Sequence, residues 1–274
     1  LMTDSNAPEA TNSNGLQAVS SNGFTPGSMT RTNETNSNFV AWQWKANGGT
    51  TSSNTDGDIT STVQANTDAG FSIVTYQGNT SNNQTVGHGL GAKPGFILIR
   101  NRTRAESWRL NNHAINNGTG MIIVNSTAPY NTTGTTLMNV AATSSVFSVS
   151  TDWSVNGNYP FVAWCWAEKQ GYSKFDSYIG NGNADGPFVY TGFKPAFVLI
   201  KQVTDSAGDD WILYDNKREP ENVAIKKLFP NQSAAESSSY DTIDMLSNGF
   251  KMRSNLGGTN SSGKTYIYMS FAEK

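Results

Sequence analysis

The stretch Phe161-Val162-Ala163-Trp164-Cys165-Trp166-Ala167-Glu168 decides how the 274-residue chain is read, because it occurs three times. An earlier copy runs Phe39-Val40-Ala41-Trp42-Gln43-Trp44-Lys45-Ala46, and a later one Tyr266-Ile267-Tyr268-Met269-Ser270-Phe271-Ala272-Glu273. Side chains of a strand alternate between its two faces. One face therefore carries Val40, Trp42 and Trp44, then Val162, Trp164 and Trp166, then Ile267, Met269 and Phe271. All nine are large and apolar, so this face is the expected structural core. The opposite face places Gln43, Cys165 and Ser270 at one aligned position, which is small or polar.

Working outward, each aromatic strand ends a longer repeat. Ser21-Asn22-Gly23-Phe24 matches Ser247-Asn248-Gly249-Phe250, with Ser144-Ser145-Val146-Phe147 between them. Residues 1–9 match the stretch that begins at Leu228, and Val124 to Tyr130 is the middle version. Two repeats also have a first half. Gly70-Phe71-Ser72 corresponds to Gly171-Tyr172-Ser173, Lys93-Pro94 to Lys194-Pro195, and Trp108-Arg109-Leu110 to Trp211-Ile212-Leu213. A repeat of this length marks tandem domains and not a solenoid of small units. Residues 1–46 are thus expected to be the C-terminal half of an incomplete β module. Residues 47–66, rich in Gly, Thr, Ser and Asp, read as a linker. Residues 67–169 and 170–274 read as two complete β-sandwich modules. The short junction Lys169-Gln170-Gly171 predicts that these abut as a stiff rod. Both Trp of the half module need cover, from an upstream part of the polypeptide that the Leu1 start favours or from a neighbouring subunit.

Apolar runs of strand length recur at Phe71–Tyr76, Phe96–Arg100, Met121–Val124, Val146–Val149 and Phe161–Trp166, separated by Gly, Asn and Pro. This pattern predicts an all-β chain of tandem antiparallel sandwiches, jelly-roll or lectin-like, with very little helix. The best helical stretch is Asn222 to Leu228, one or two turns long.

Composition removes several functions. The net charge of -2 and the scatter of Lys and Arg leave no footprint for nucleic acid. One Cys excludes an internal disulfide framework. No apolar run reaches the ~20 residues of a membrane-spanning helix. Charged residues are only 15% of the chain, and Asn, Thr, Ser and Gly supply the polarity, as suits tight turns and an extracellular surface.

Motifs that carry chemistry are few in this sequence. His88 and His113 have no second ligand at metal-binding spacing. The carboxylate pairs Asp209/Asp210, Glu219/Glu221 and Asp241/Asp244 have no counterparts in the other complete repeat and read as solvated loop charges. Asp56-Gly57-Asp58 lacks the remaining oxygens and terminal Glu of a calcium loop. No catalytic residue, metal site or cofactor is expected. Trp153 stands apart: it lies in a turn-rich loop, aligned with Thr30 and Leu256, where the scaffold does not demand a Trp. It is the candidate binding residue, able to stack on a sugar face.

The runs Gly171-Tyr172-Ser173-Lys174-Phe175, Gly180-Asn181-Gly182-Asn183-Ala184-Asp185-Gly186-Pro187, Tyr214-Asp215-Asn216-Lys217-Arg218 and Ser247-Asn248-Gly249-Phe250 resemble repeat modules in tail-fibre and other appendage proteins of tailed phages, especially marine and cyanobacterial ones. His88-Gly89-Leu90-Gly91 with Pro94 is similar to the same family, so the resemblance spans essentially the whole chain. It implies a structural virion protein, extracellular on the particle, with a role in host-surface attachment and no catalytic residues. The implied partners are further copies of itself, a trimer favoured, other virion or appendage subunits and a host-surface glycan. The alternatives are a lectin-like carbohydrate-binding module and, below it, a polysaccharide depolymerase.

Overall fold

A computed structural model describes residues 1–131, 138–204, 209–240 and 242–273. The first strands are β1 (Leu16–Ser20) and β2 (Gly23–Pro26), followed by the helical turn α1 (Thr30–Asn33). Then come β3 (Ser52–Asn54), β4 (Ser61–Asn66), β5 (Phe71–Gln77), β6 (Gln84–Gly87), β7 (Pro94–Asn101), β8 (Arg109–Asn112) and β9 (Ile122–Ile123). After these lie β10 (Val146–Val149), α2 (Trp153–Asn156) and β11 (Pro160–Ala167). The rest of the chain forms β12 (Ser173–Ile179), β13 (Phe188–Tyr190), β14 (Pro195–Gln202), β15 (Ile212–Asp215), β16 (Ile243–Leu246), β17 (Gly249–Met252), α3 (Gly257–Asn260) and β18 (Thr265–Ala272). The chain is all-β, its strands paired in antiparallel sheets, and the described residues add three α-helical turns of four residues each and a 3-10 turn at Asn116–Gly118.

A seven-stranded sheet has the order β3-β4-β5-β11-β7-β8-β9, and a four-stranded sheet the order β12-β18-β14-β15. The core of the first, β5-β11-β7-β8, has the same connectivity as the whole of the second. In both, the aromatic strand comes last in its repeat yet takes a central place, paired on both edges. A smaller sheet accompanies each: β10 with β6, and β13-β17-β16. Pro94 and Pro195 open β7 and β14, where a missing N–H disturbs the ladder least.

Three apolar layers separate these sheets. Ile97, Ile99, Phe161, Ala163 and Cys165 of the large sheet pack on Val86, Phe147 and Val149 of the small one. Val198, Ile200, Tyr266 and Tyr268 pack likewise on Ile243, Phe250 and Met252. The third layer lies between the two large sheets and contains Trp166, Phe96, Phe175, Phe197, Met269 and Phe271. The units thus meet through faces and not end to end as a rod would.

The tight turns after β5 and β12 require glycine. A Cβ on Gly78 would stand 2.0 Å from the Gly157 carbonyl oxygen, and one on Gly180 2.3 Å from that of Ser261. Both glycines lie against the helical turn that precedes the last strand of their repeat.

Four expectations need correction. Residues 47–66 are not a linker: β3 and β4 extend the large sheet, with β4 paired to β5 from Ser61↔Tyr76 to Asn66↔Phe71. The alternation of Ser61 and Val63 inward with Thr62 outward was hidden by polar composition. Residues 222–228 form no helix but pair through bridges Ala224↔Ile243 and Leu213↔Leu228. Residues 39–46 form no strand: among the described residues no backbone ladder pairs with them, and the Asn66 amide donates to the Lys45 and Ala46 carbonyls at 3.2 and 3.4 Å instead. Finally, both faces of the aromatic strands are covered, because a smaller sheet caps the second face: Cys165 and Ser270 are fully buried, and only Gln43 is exposed.

Candidate functional site

Trp153 opens α2, whose N-cap Asp152 accepts the Ser154 N–H. The helical turn holds the indole outward, 52% exposed. The Arg104 guanidinium lies 4.8 Å from its ring centroid, over one face. The Tyr159 ring is 6.0 Å away and tilted by 47°. Arg104 donates to the Tyr159 hydroxyl at 3.3 Å and pairs with Glu106 at 2.8 Å. The result is a surface patch of two rings, a guanidinium and a carboxylate. Such a set can stack on an apolar sugar face and bond ring hydroxyls. Arg104, Tyr159 and Glu106 were not anticipated; the one signal for Tyr159 was a second aromatic residue in the same loop.

The nine expected core residues lie as follows. Val162, Trp166, Ile267, Met269 and Phe271 are buried, while Trp164, Trp42 and Trp44 are half-buried against the layer between the large sheets. Val40 is half-buried at the start of the same segment. The face they share does not fill the interior between each large sheet and its small partner. It forms the contact between repeats. Both Trp of the first repeat are partly covered by this chain itself. Trp42 packs edge-on against Phe197 at 5.7 Å, and Trp44 against Trp166 at 5.9 Å and Phe271 at 5.3 Å. The β1–β2 hairpin has no such cover: Leu16, Val19 and Phe24 are exposed.

The polar candidates are tied into the scaffold. His88 is fully buried, its Nδ1 accepting the Leu90 N–H at 3.2 Å, and desolvation lowers its pKa to about 4. Neutral at physiological pH, it is a core side chain bridging backbone groups. His113 sits at the contact of the two units, 2.5 Å from the Phe175 carbonyl oxygen and 3.7 Å from Glu168. The Glu168 carboxylate, then the Phe175 carbonyl, raise its pKa against the opposing effect of burial. Burial works to raise the Glu168 carboxyl, but bonds from His113, the Phe175 N–H and Lys174 outweigh it and hold it low. Cys165 is buried and its thiol is pushed up to about 12 by desolvation, so it is unreactive.

Asp58 bonds Thr85 through both its N–H and hydroxyl, and Glu219 accepts the N–H of Ile225 and Lys226. Asp210 accepts from Asn231 and Gln232. Asp244 faces Arg253 at 3.4 Å, and its expected companion Asp241 lies outside the described residues. Among the described residues no group of His, Cys, Asp and Glu could hold a metal ion. No helix among them is long and apolar enough to cross a membrane.

A cavity of about 410 Å³ opens between the large sheets, lined by Trp42, Trp44, Trp166, Trp211, Leu213 and Phe229 among others. The indole N–H of Trp166 is buried there without a hydrogen-bond partner. A family model described as a domain of unknown function (DUF7483) matches residues 1–274. No curated protein and no solved structure matches the chain.

Proposed function

We propose, for a chain that belongs to the family of the domain of unknown function DUF7483, a structural role in a phage particle: a tail-fibre or similar appendage protein built from tandem β-sandwich modules. The observation that carries this reading is the use made of the repeated aromatic face. Three copies of one sequence segment contribute Trp44, Trp166 and Phe271 to a single apolar layer. The residues that most define the repeat therefore weld repeats together, which is what a load-carrying particle component needs. The buried His88 and the bonded carboxylates fit the non-enzymatic role. The expected setting is the virion, outside the cell, in a homo-oligomer for which a trimer is favoured. Immunogold electron microscopy of purified particles tests the assignment, and label on an appendage is the expected result. Its absence from particles by mass spectrometry overturns it. Light scattering tests the oligomer: a monomer at every concentration overturns that part.

One observation favours a second reading, carbohydrate binding, either by itself or as the attachment function of the same appendage. The exposed Trp153 ring with Arg104, Tyr159 and Glu106 beside it is the kind of patch that stacks on sugars. A glycan array with the wild type and Trp153→Ala tests it. Signals that vanish in the variant support the reading, and a blank array for both removes it.

A further inference from the structure

Residues 1–9, 123–130 and 229–236 are three copies of one segment. Their register is fixed by Asn125 and Asn231, whose Oδ1 atoms accept the backbone N–H of Trp108 at 2.9 Å and of Trp211 at 3.0 Å. The first two copies each dock on the following repeat in the same way. The Trp108 indole donates to the Met2 carbonyl at 2.8 Å, and the Trp211 indole to that of Ile123 at 3.4 Å. The Glu9 N–H donates to the Arg102 carbonyl at 2.7 Å, and the Tyr130 N–H to that of Val203 at 3.1 Å. A buried cation completes each set: Arg100 donates to the Ala7 carbonyl, and Lys201 to that of Thr127 at 3.0 Å, one residue out of register. The acceptor surface is the same strand pair both times, β7–β8 and then β14–β15. Among the described residues the third copy makes no such set of bonds, and Gln232 to Glu236 are exposed.

Two further observations give the arrangement a closed form. Trp44, Trp166 and Phe271 occupy one aligned position in their repeats, and Trp44 touches the other two. The three repeats thus converge about a common point, with repeat one docked on two and two on three. The cavity between the large sheets is lined by all three repeats, with Trp42 and Trp44 of the first and Phe229 and Ala234 of the third both bordering it. Residues 39–46 border it without a strand at either edge, although their counterparts β11 and β18 are paired on both.

We propose that residues 229–236 and the edges of residues 39–46 form one docking site, and that its occupant is a strand pair of the β7–β8 kind. That pair has a Lys-Pro strand ending in a cation and a second strand opened by a Trp. Its Trp and cation bind the carbonyls of residues 229–236, its first strand pairs with 39–46, and its apolar face fills the cavity. The ring of three repeats is then closed. The occupant belongs to a further repeat half and not to a second copy of these residues, because β7–β8 of a second copy is already engaged by its own residues 1–9. The inference concerns how repeats assemble and stands whether or not the protein belongs to a particle.

The test places a copy of residues 67–121, which carries such a pair, directly before Leu1, the junction that the register dictates. Hydrogen exchange is followed at 39–46 and 229–236 in the full chain with and without the extension. The expected result is at least about tenfold slower exchange in both segments, reversed when the appended copies of Arg100 and Trp108 are replaced by Ala. Unchanged exchange in either segment overturns the proposal. So does a dimer of the unextended protein, seen by light scattering, in which 229–236 is already protected. Should the appended residues themselves exchange as an unfolded chain, a labelled peptide of residues 93–112 is titrated onto the unextended protein. Saturable binding lost in Ala234→Asp supports the site, and no saturation rejects it.

Discussion

Asn260 is fully buried, and every polar atom of its amide is bonded. Its Oδ1 accepts the Asn181 N–H at 2.8 Å, and its Nδ2 donates to the Asn183 and Ser254 carbonyls, each at 2.8 Å. Asn156 repeats the arrangement, with Oδ1 accepting the Asn79 N–H at 2.9 Å and Nδ2 donating to the Ser81 carbonyl at 2.8 Å. The aligned Asn33 is exposed. Asn260→Ala would leave a buried N–H and two carbonyls short of partners, and is expected to cost about 3 kcal/mol. Asn33→Ala is expected to stay within about 0.5 kcal/mol. Urea midpoints at constant slope check both. His113 gives a pH-dependent counterpart. Its pKa is raised in the fold, so its contribution is complete below its ordinary value of about 6.5 and is lost as pH rises through the raised value. The urea midpoint is therefore expected to fall as pH rises above about 6.5, and His113→Gln to remove most of that slope.

Strands were legible in this sequence where burial is one-sided or where the apolar run is continuous. β5, β7, β10 and β11 all fall on expected runs. β3 and β4 were not legible, because Ser, Thr, Gln and Asn fill their outward positions and leave Val63 as their one large apolar residue. Pairing is also non-local: the aromatic strand was recognisable from Trp164 and Trp166, but not that its place is between β5 and β7. Of the candidate patch, Trp153 was legible as a residue without a scaffold reason. Arg104 reaches it from a loop distant in sequence, which periodicity does not reveal. The docked segments carry their own prediction. Lys201 donates to the Thr127 and Asp209 carbonyls, and desolvation lowers its pKa to about 8. The folded state then binds fewer protons than the unfolded chain above that pH, so this group's contribution to stability rises as pH climbs toward the ordinary value of about 10.4. Comparing wild type with Lys201→Met isolates it: wild type should gain stability relative to the variant between about pH 8 and 10, and a constant difference would contradict a perturbed amine.

Three repeats of one face, gathered into one layer, make the molecule's cohesion depend on side chains far apart in sequence. The first repeat tests this dependence because it contributes to that layer without contributing to any large sheet. Its segment 39–46 has no strand pairing; apart from the Asn66 amide at the Lys45 and Ala46 carbonyls, what holds it is side-chain burial, chiefly at Trp44, whose ring meets Trp166, Phe197 and Phe271. A large-to-small change there removes transfer energy and opens the layer to water, and Trp44→Ala is expected to cost about 3 kcal/mol. Phe24→Ala, in the exposed hairpin, is expected to cost less than about 0.5 kcal/mol. The pair of variants distinguishes two organisations. If the complete repeats cohere by themselves and the first merely decorates them, both substitutions are silent in the main unfolding transition. If the layer is shared, Trp44→Ala lowers the transition of the whole chain and raises exchange at Phe197 and Phe271, residues it is linked to by packing alone. Denaturation followed by hydrogen exchange reads both quantities on the same sample.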